Sequence, residues 1–169
     1  RCPNHVIARS MMSNHKFRIV ITGVENSGKS TLIKPLAEKF NWPFILELCR
    51  KNKAVLHGTE TLETLKELHR LEERSFEKMV NSTFAKGVFC DTAGLVLDLW
   101  AESVFGKRVT TESSSKNIDL YLLCETIEKW EDDPLRVIPN HQERIKKNNE
   151  FRARLELEKA PYIYIPVMP

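Results

Sequence analysis

Short apolar runs alternate with longer amphipathic stretches along most of the chain. Five of these runs are rich in β-branched and aromatic residues and short enough to be strands, whereas the stretches between them repeat apolar residues at helical spacing. The predicted strands cover residues 17–22, 44–46, 87–90, 118–124 and 162–165. The predicted helices cover about residues 29–40, 59–84, 95–105 and 141–159. This alternation predicts a three-layer α/β/α domain, with helices on both faces of a doubly wound, mostly parallel five-stranded sheet.

The 169 residues are enough for one such domain and too few for two ordinary ones. We expect the domain to occupy residues 17–169, preceded by an N-terminal extension or linker over residues 1–16. The chain begins at Arg1 rather than at a methionine. We therefore expect either a natural start at Met11 or Met12, or a domain cut from a longer protein.

Composition argues against two classes of partner. The formal net charge is +3, from 26 basic and 23 acidic residues, which is too mild to indicate a nucleic-acid-binding protein. No apolar run approaches the roughly 20 residues that a membrane-spanning helix needs. Residues 1–16 also lack the apolar stretch of a secretory signal. We therefore expect a cytoplasmic protein with neither a nucleic-acid nor a membrane partner.

The segment Gly23-Val-Glu-Asn-Ser-Gly-Lys-Ser30 matches the P-loop pattern at every fixed position. It follows a β-branched apolar run and leads into an amphipathic helix, which is the context that the pattern requires. Gly23 and Gly28 permit backbone angles that let successive N–H groups face phosphate oxygens, where Lys29 adds a positive charge. The Ser30 hydroxyl is suited to bind Mg²⁺. The predicted ATP-binding residues are Gly23, Glu25, Asn26, Ser27, Gly28, Lys29, Ser30 and Thr31.

A carboxylate follows the third predicted strand at Asp91. The carboxyl end of a buried strand is where α/β sheets bind their ligands. In a P-loop protein, an aspartate at this place holds Mg²⁺ directly or through water, so Ser30 and Asp91 are the predicted metal ligands. The alternative is an aspartate that caps the next helix.

Glu47 and Arg50 follow the second predicted strand, so they should open onto the same edge of the sheet. A kinase that acts on a hydroxyl group needs a carboxylate near that oxygen, to orient it and to accept its proton. Glu47 is a good candidate for this base, and Asp91 is its competitor. A surface ion pair between Glu47 and Arg50 is the alternative interpretation.

An arginine-bearing segment follows the fourth predicted strand, where small-molecule P-loop kinases have a mobile lid. It reads Trp-Glu-Asp-Asp-Pro-Leu-Arg136, and we place the lid near residues 130–145. Arginines delivered by a mobile segment stabilise the charge on a transferring phosphoryl group, so Arg136 is predicted to be catalytic. By composition, Arg144, Lys146 and Lys147 are predicted to form a solvated helix face.

The nucleotide is predicted to be ATP. The segment Lys116-Asn-Ile-Asp119 reverses the first two residues of the guanine signature Asn-Lys-x-Asp, which argues against a GTPase. ATP and Mg²⁺ are therefore the predicted cofactors. The predicted catalytic residues are Lys29, Glu47, Asp91 and Arg136.

Several of these segments together resemble the NadR-type ribosylnicotinamide kinase domain. In that family the P-loop typically reads Gly-x-Glu-Ser-Ser-Gly-Lys-Ser, which is close to the loop that begins at Gly23. The family's Glu-x-x-Arg after the second strand matches Glu47-Leu-Cys-Arg50, and its Asp-Thr-Asp step is similar to the segment that begins at Asp91. Its Trp-x-Asp-Asp-Gly-x-Arg is similar to the segment that ends at Arg136. The resemblance extends in order and spacing over residues 17–165.

The resemblance implies a P-loop nucleoside-kinase fold and an enzyme that uses ATP and Mg²⁺ to phosphorylate the ribose 5′-hydroxyl of nicotinamide riboside, a step of NAD salvage. It implies that the acceptor is bound by Glu47, Arg50, Asp91 and Asp133. The family's domain often follows a nucleotidyltransferase domain, so the expected partner arrangements are fusion to such a domain or a homo-oligomer. Three residues depart from the family's pattern, namely Asn26, Ala93 and Pro134.

The competing hypothesis is an AAA-type ATPase switch or interaction module that hydrolyses ATP slowly and has no small-molecule acceptor. Ala93 motivates it, because this residue stands where the resembling family has a second aspartate near the substrate. Turnover that depends on an acceptor would separate the two hypotheses.

Overall fold

The computed structural model of the chain describes residues 15–133 and 135–167. The expected N-terminal extension lies outside these residues, apart from His15 and Lys16, and so does Pro134. One parallel sheet is formed in the order β2-β3-β1-β4-β5. Its strands are β1 (Phe17–Thr22), β2 (Phe44–Ile45), β3 (Gly87–Asp91), β4 (Leu120–Cys124) and β5 (Tyr162–Ile165). The predicted five-stranded parallel sheet is therefore confirmed.

Helices connect the strands in the predicted order. They are α1 (Lys29–Phe40), α2 (Lys53–Leu56), α3 (Leu62–Ser82), α4 (Gly94–Phe105) and α5 (His141–Leu157). The four longer ones were predicted from their periodicity, with ends that differ from the structure by at most three residues. Neither α2 nor the 3₁₀ turn at Cys49–Lys51 was predicted, because segments this short contain no repeat of apolar positions.

Both faces of the sheet are covered. Val20 and Ile21 in β1 are fully buried although their side chains point to opposite faces. Ile21 packs against α1, which contributes Ile33 and Ala37. Val20 lies on the other face, in a core with side chains of α3, α4 and α5 that includes Leu95, Leu99, Phe151 and Leu155. A strand buried on both faces is apolar along its length, which explains the continuous apolar run in the sequence.

The strand order determines where a ligand would bind. β1 lies between β3 and β4, and the chain leaves it first toward β2 and later crosses back to β4. The carboxyl ends of β1, β3 and β4 therefore meet at a topological switch point, where open α/β sheets form a crevice. Of the helices in the described part of the chain, none is both long and apolar enough to cross a membrane.

Candidate active site

A cavity of about 610 Å³ opens at this carboxyl edge. One side is formed by residues 23–31, which include every predicted ATP-binding residue. The other side is formed by α2, α4 and the lid segment, which we define as residues 125–133 and 135–140 between β4 and α5. Glu47, Arg50 and Arg136 also line the cavity. The predicted ATP-binding residues and two of the four predicted acceptor residues, Glu47 and Arg50, therefore line one space.

The P-loop requires glycine at two positions. Gly23 has φ of +136°, and a Cβ there would lie 2.8 Å from the carbonyl oxygen of Cys124 at the end of β4. Gly28 has φ of +74° and caps the amino end of α1. Both conformations are rare for residues with a side chain. The loop therefore turns sharply from β1 into α1, and the positive end of the helix faces the cavity.

Lys29 is the first residue of α1, and its side chain folds back over the loop. Its ammonium donates to the carbonyl oxygens of Gly23 and Val24, at 2.9 and 2.8 Å. Burial lowers the pKa of Lys29, while the nearby carboxylates of Glu47 and Asp91 raise it. Lys29 therefore places a positive charge at the cavity, close to the carboxylates of Glu47 and Asp91.

Asp91 ends β3 beneath the P-loop. Its Oδ2 accepts a hydrogen bond from the Ser30 hydroxyl at 2.8 Å, while its buried Oδ1 has no hydrogen-bond partner. Burial raises the pKa of Asp91, and the Ser30 hydroxyl and Lys29 oppose this. The N-cap of α4 is Ala93, so the alternative of a helix-capping aspartate is wrong.

Ser30 and Asp91 fit a divalent cation. A carboxylate oxygen that is buried and unpaired is a hard ligand without a partner, and the adjacent serine hydroxyl is a second oxygen. Within residues 15–133 and 135–167, no group of three His, Cys, Asp or Glu side chains could hold a metal ion. A Mg²⁺ here would therefore need further oxygens from phosphate groups or water.

Glu47 and Arg50 lie on the opposite side of the cavity mouth, just after β2. Arg50 donates through Nε to Glu47 at 3.0 Å and through Nη1 to Asp133 of the lid segment at 2.8 Å. Asp133 also accepts the backbone N–H of Leu135, and this bond, together with Arg50, holds the pKa of Asp133 below its usual value. The ion pair that was the alternative interpretation is thus present, and both of its members line the cavity.

Arg136 reaches the P-loop from the lid segment. Its guanidinium donates to the side-chain oxygen of Asn26 at 2.9 Å and to the carbonyl oxygen of Glu131 at 2.7 Å. The Asn26 side chain in turn donates to the carbonyls of Ile127 and Lys129. Arg136 is therefore held beside the loop that the sequence predicts to bind phosphate.

Arg144 corrects a prediction. It was expected on a solvated helix face with Lys146 and Lys147, but its relative exposure is 0%. Its guanidinium packs on the ring of Trp130, 5.0 Å from the centroid. It donates to four backbone carbonyls of the lid segment, those of Ile127, Glu128, Ile138 and Pro139. Lys146 is exposed as expected, whereas Lys147 is half-buried, pairs with Glu150 and lines the cavity.

Asn148 is a site residue that the sequence did not reveal. Its side chain is buried, accepts the backbone N–H of Val24 at 3.1 Å and donates to the carbonyl of Cys124 at 3.1 Å. It therefore ties the P-loop to the end of β4. The signal that could have found it is the spacing of Arg144, Asn148, Phe151 and Leu155, which share one helical face.

The far half of the cavity is mostly apolar, which motif analysis also missed. The first turns of α4 bring Val96, Leu99 and Trp100 to its wall. Val104 of α4, Leu56 of α2 and Val137 of the lid segment lie at the cavity as well and are largely exposed. An apolar wall opposite a phosphate-binding loop is suited to the body of a second, partly aromatic ligand.

Two of the predicted acceptor residues do not line the cavity. Asp91 lies behind Ser30, and Asp133 lies behind Arg50. Thr92, between Asp91 and Ala93, does line it and has φ of +65°, which is strained for a β-branched residue. Ala93 is 1% exposed and packs in the core below α4.

Comparison with known proteins agrees with this geometry. The profile of a family described as AAA domain matches residues 18–168. A structure of NadR in complex with NR superposes with a TM-score of 0.66 at 20% sequence identity, covering 88% of this chain and 45% of that one. NadR in complex with NAD and AMP-PNP gives a TM-score of 0.63 at 18% identity, covering 88% and 44%. The chain thus spans less than half the length of these NadR chains.

A third similar structure is deoxyadenosine kinase from M. mycoides with bound dATP. Its TM-score is 0.60 at 12% identity, and the alignment covers 88% of this chain and 90% of that one. A sequence search of curated proteins gives no match. The shared fold confirms the predicted P-loop nucleoside-kinase architecture and, at the level of fold, the resemblance to NadR.

Proposed function

This chain belongs to the AAA domain family, and we propose that it is an ATP-dependent kinase acting on a small molecule, most plainly on the ribose 5′-hydroxyl of a nucleoside. The observation that carries the proposal is the division of one cavity into two halves. One half is a P-loop with a half-buried Lys29, and the other has an apolar wall with Glu47 at its mouth. An ATPase without a second substrate has no need of the apolar half.

The donor half would bind ATP through the P-loop backbone and Lys29. Ser30 and Asp91 would hold Mg²⁺, which supplies charge neutralisation at the phosphates when bound. Arg136 would lie near the transferred group, since it is held beside the P-loop through Asn26. A planar guanidinium is suited to the charge that spreads over the equatorial oxygens during transfer.

The acceptor half would bind the nucleoside with its base against the apolar wall near Trp100 and its hydroxyl toward Glu47. The carboxylate of Glu47 would accept the hydroxyl proton as the acceptor oxygen bonds to the γ-phosphorus. The bond from that phosphorus to the β–γ bridging oxygen breaks, and ADP leaves with the electron pair. Arg50, paired with both Glu47 and Asp133, would fix the orientation of the carboxylate.

Nicotinamide riboside is our first candidate for the acceptor. The sequence resemblance to the NadR-type domain supports it, as does the structural likeness to a NadR bound to NR. Deoxyadenosine kinase has the same fold, so a purine nucleoside is the next candidate. A role in NAD salvage, a cytoplasmic location, and either a homo-oligomer or fusion to a nucleotidyltransferase domain belong to this proposal as well.

The test is ADP release from the purified chain with ATP and Mg²⁺, in the presence of nicotinamide riboside, deoxyadenosine, adenosine or uridine. We expect one riboside to raise turnover well above the rate with ATP alone and to yield a 5′-monophosphate by mass spectrometry. The Lys29→Ala variant controls for contaminating kinases. If no riboside raises the rate above that of ATP alone, the kinase proposal is wrong.

An ATPase switch is the second candidate, and Ala93 favours it. The resembling family has a carboxylate at this position, whereas here the residue is a buried alanine of the core. This hypothesis expects slow hydrolysis that no riboside accelerates, and a partner complex whose lifetime differs between ATP and ADP. Acceptor-dependent formation of a monophosphate would contradict it.

A further inference from the structure

Two side chains of the P-loop bind the lid segment. Glu25 and Asn26 occupy positions that the P-loop pattern leaves free. The glycines and Lys29 make the loop's own turn, whereas these two side chains point out of it toward the lid segment, whose sequence lies more than 100 residues away. Their contacts are therefore not part of the general phosphate-binding geometry.

Glu25 binds the second half of the lid segment, the part that leads into α5. Its Oε1 accepts the backbone N–H groups of Val137 and Ile138, at 2.7 and 2.5 Å. A carboxylate that accepts two neighbouring N–H groups makes charge-assisted bonds, which are stronger than neutral ones. Because Val137 follows Arg136 directly, Glu25 fixes the backbone that bears the arginine.

Asn26 binds the first half of the lid segment, the part that follows β4, and also Arg136. Its Nδ2 donates to the carbonyls of Ile127 and Lys129, at 3.0 and 2.8 Å, and its backbone carbonyl accepts the N–H of Ile127 at 3.0 Å. Its Oδ1 accepts from Arg136. Asn26 is buried and has φ of +57°, a conformation that asparagine tolerates better than most residues. One residue thus meets the lid segment at three sites.

The lid segment is bound from its other side by α5. Arg144 donates to carbonyls at both ends of the segment, and its helix also holds the P-loop through Asn148. The two ends of the lid segment are therefore bound independently of Glu25 and Asn26. What these two add is a direct connection between the phosphate-binding loop and the part of the lid segment near Arg136.

We propose that Glu25 and Asn26 are positioning residues, which dock the lid segment on the P-loop and thereby set the guanidinium of Arg136 beside the phosphate-binding site. The proposal rests on the proposed function only for the role of Arg136 in phosphoryl transfer; the docking itself is testable without an acceptor. It predicts that loss of either side chain releases residues 129–133 and 135–137, while the two ends of the lid segment, held by Arg144, stay in place.

Limited trypsin digestion tests the docking. The lid segment has two cleavage sites, after Lys129 and Arg136. We expect Glu25→Ala and Asn26→Gly to speed cleavage at these sites by roughly tenfold or more, since each removes at least one hydrogen bond that involves a charged group. Glycine keeps the left-handed backbone of position 26 accessible. Glu128→Gln removes an exposed carboxylate from the same segment and should leave the cleavage rate unchanged.

Cleavage after Lys107, outside the lid segment, separates local release from general unfolding. If both variants speed cleavage equally at Lys107 and in the lid segment, they destabilise the whole domain, and the docking proposal is overturned. It is also overturned if lid cleavage stays at the wild-type rate. Glu25→Gln keeps an accepting oxygen without the charge, so its rate should lie between those of wild type and Glu25→Ala.

Kinetics test the positioning of Arg136. With the riboside identified by the acceptor screen, Glu25→Ala should lower kcat about tenfold or more and change the KM for ATP less than about threefold, since the contact acts through the arginine. Adding Glu25→Ala to an Arg136→Ala background should then have little further effect on kcat. Fully additive effects would overturn the positioning role, while a wild-type chain without acceptor-dependent turnover would refute the kinase proposal alone.

Discussion

The P-loop and the lid segment leave adjacent strands of the sheet, yet they are held in different ways. The P-loop follows β1 and is held mainly by its own glycine turns and by Lys29, which donates to two of its carbonyls. The lid segment follows β4 and is bound by side chains whose partners lie up to 113 positions away along the chain. A short motif therefore specifies the first loop, whereas distant residues specify the second.

Because of this difference, we expect nucleotide binding and turnover to depend on different residues. The P-loop combines the charge of Lys29 with the amino end of α1 in eight consecutive residues. Arg136 is held at the same place by a hydrogen bond to Asn26 and by the backbone that Glu25 binds. Loss of Lys29 should therefore remove nucleotide binding and turnover together, while changes at Glu25, Asn26 or the lid segment should affect turnover or stability and leave nucleotide binding in place.

Lys29→Ala should have the largest effect. Removal of the ammonium leaves the phosphates without their nearest positive charge, so we expect turnover to fall by ~10²–10³-fold and ATP affinity to weaken. Isothermal titration with ATP and Mg²⁺ measures binding, and ADP release measures turnover. Lys34→Ala, an exposed lysine of the same helix, is the matched control and should behave as wild type. A variant that binds ATP as well as wild type would show that the loop assignment is wrong.

Glu47→Gln should come next. The amide cannot accept the acceptor's proton, so we expect kcat to fall by ~10²-fold with ATP affinity nearly intact. The substitution also breaks the ion pair with Arg50. Arg50→Gln breaks the same pair and leaves the carboxylate, so it should lower kcat much less than Glu47→Gln. An unchanged kcat in Glu47→Gln would assign the base to Asp91.

The fold was largely predictable because its signals are local. The periodicity that predicts β1 and α1 lies within each segment, and the structure gives the predicted bounds for both. α2 was missed because its four residues contain too little pattern. The parallel sheet was predicted from the alternation of strands and helices, because parallel strands are joined by crossover connections that usually contain a helix.

The candidate site was predictable only in part, for a physical reason. Gly23, Lys29 and Asp91 are set by the backbone of consecutive residues and by a strand end. Arg144 and Asn148 lie on the buried face of α5, but they are polar, and a search for apolar positions cannot count them as buried. A buried arginine is recognised only by its partners, and these are backbone carbonyls, which no sequence pattern displays.

Arg144→Met tests the lid segment's attachment to α5. Methionine fills a similar volume but leaves four backbone carbonyls without their donor, so we expect the free energy of unfolding to fall by about 2 kcal/mol. Lys146→Met removes the same charge from an exposed position of the same helix and should change stability by less than about 0.5 kcal/mol. Urea unfolding measures both. If the two substitutions lower the free energy of unfolding equally, Arg144 lies on the solvated helix face that the sequence predicted.

Asp133→Asn should have the smallest effect and sharpens the comparison most. The Arg50–Asp133 pair is the lid segment's contact beside Glu47, with side-chain exposures of 41% and 22%. Pairs this exposed contribute roughly 0.2–1 kcal/mol, and asparagine can still accept the N–H of Leu135. We therefore expect kcat to fall less than about fivefold, with a difference from wild type that shrinks as salt is added.

The pH dependence of this contact has a definite sign. The lowered pKa of Asp133 means that the pair contributes above the ordinary aspartate pKa of about 3.9 and is lost as pH falls through the folded-state value. Between pH 6 and 8 the ratio of wild-type to Asp133→Asn rates should therefore be constant. A large rise in the acceptor's KM instead would mean that Asp133 binds the acceptor directly, as the family resemblance implies, and that the lid segment contributes to substrate affinity as well as to turnover.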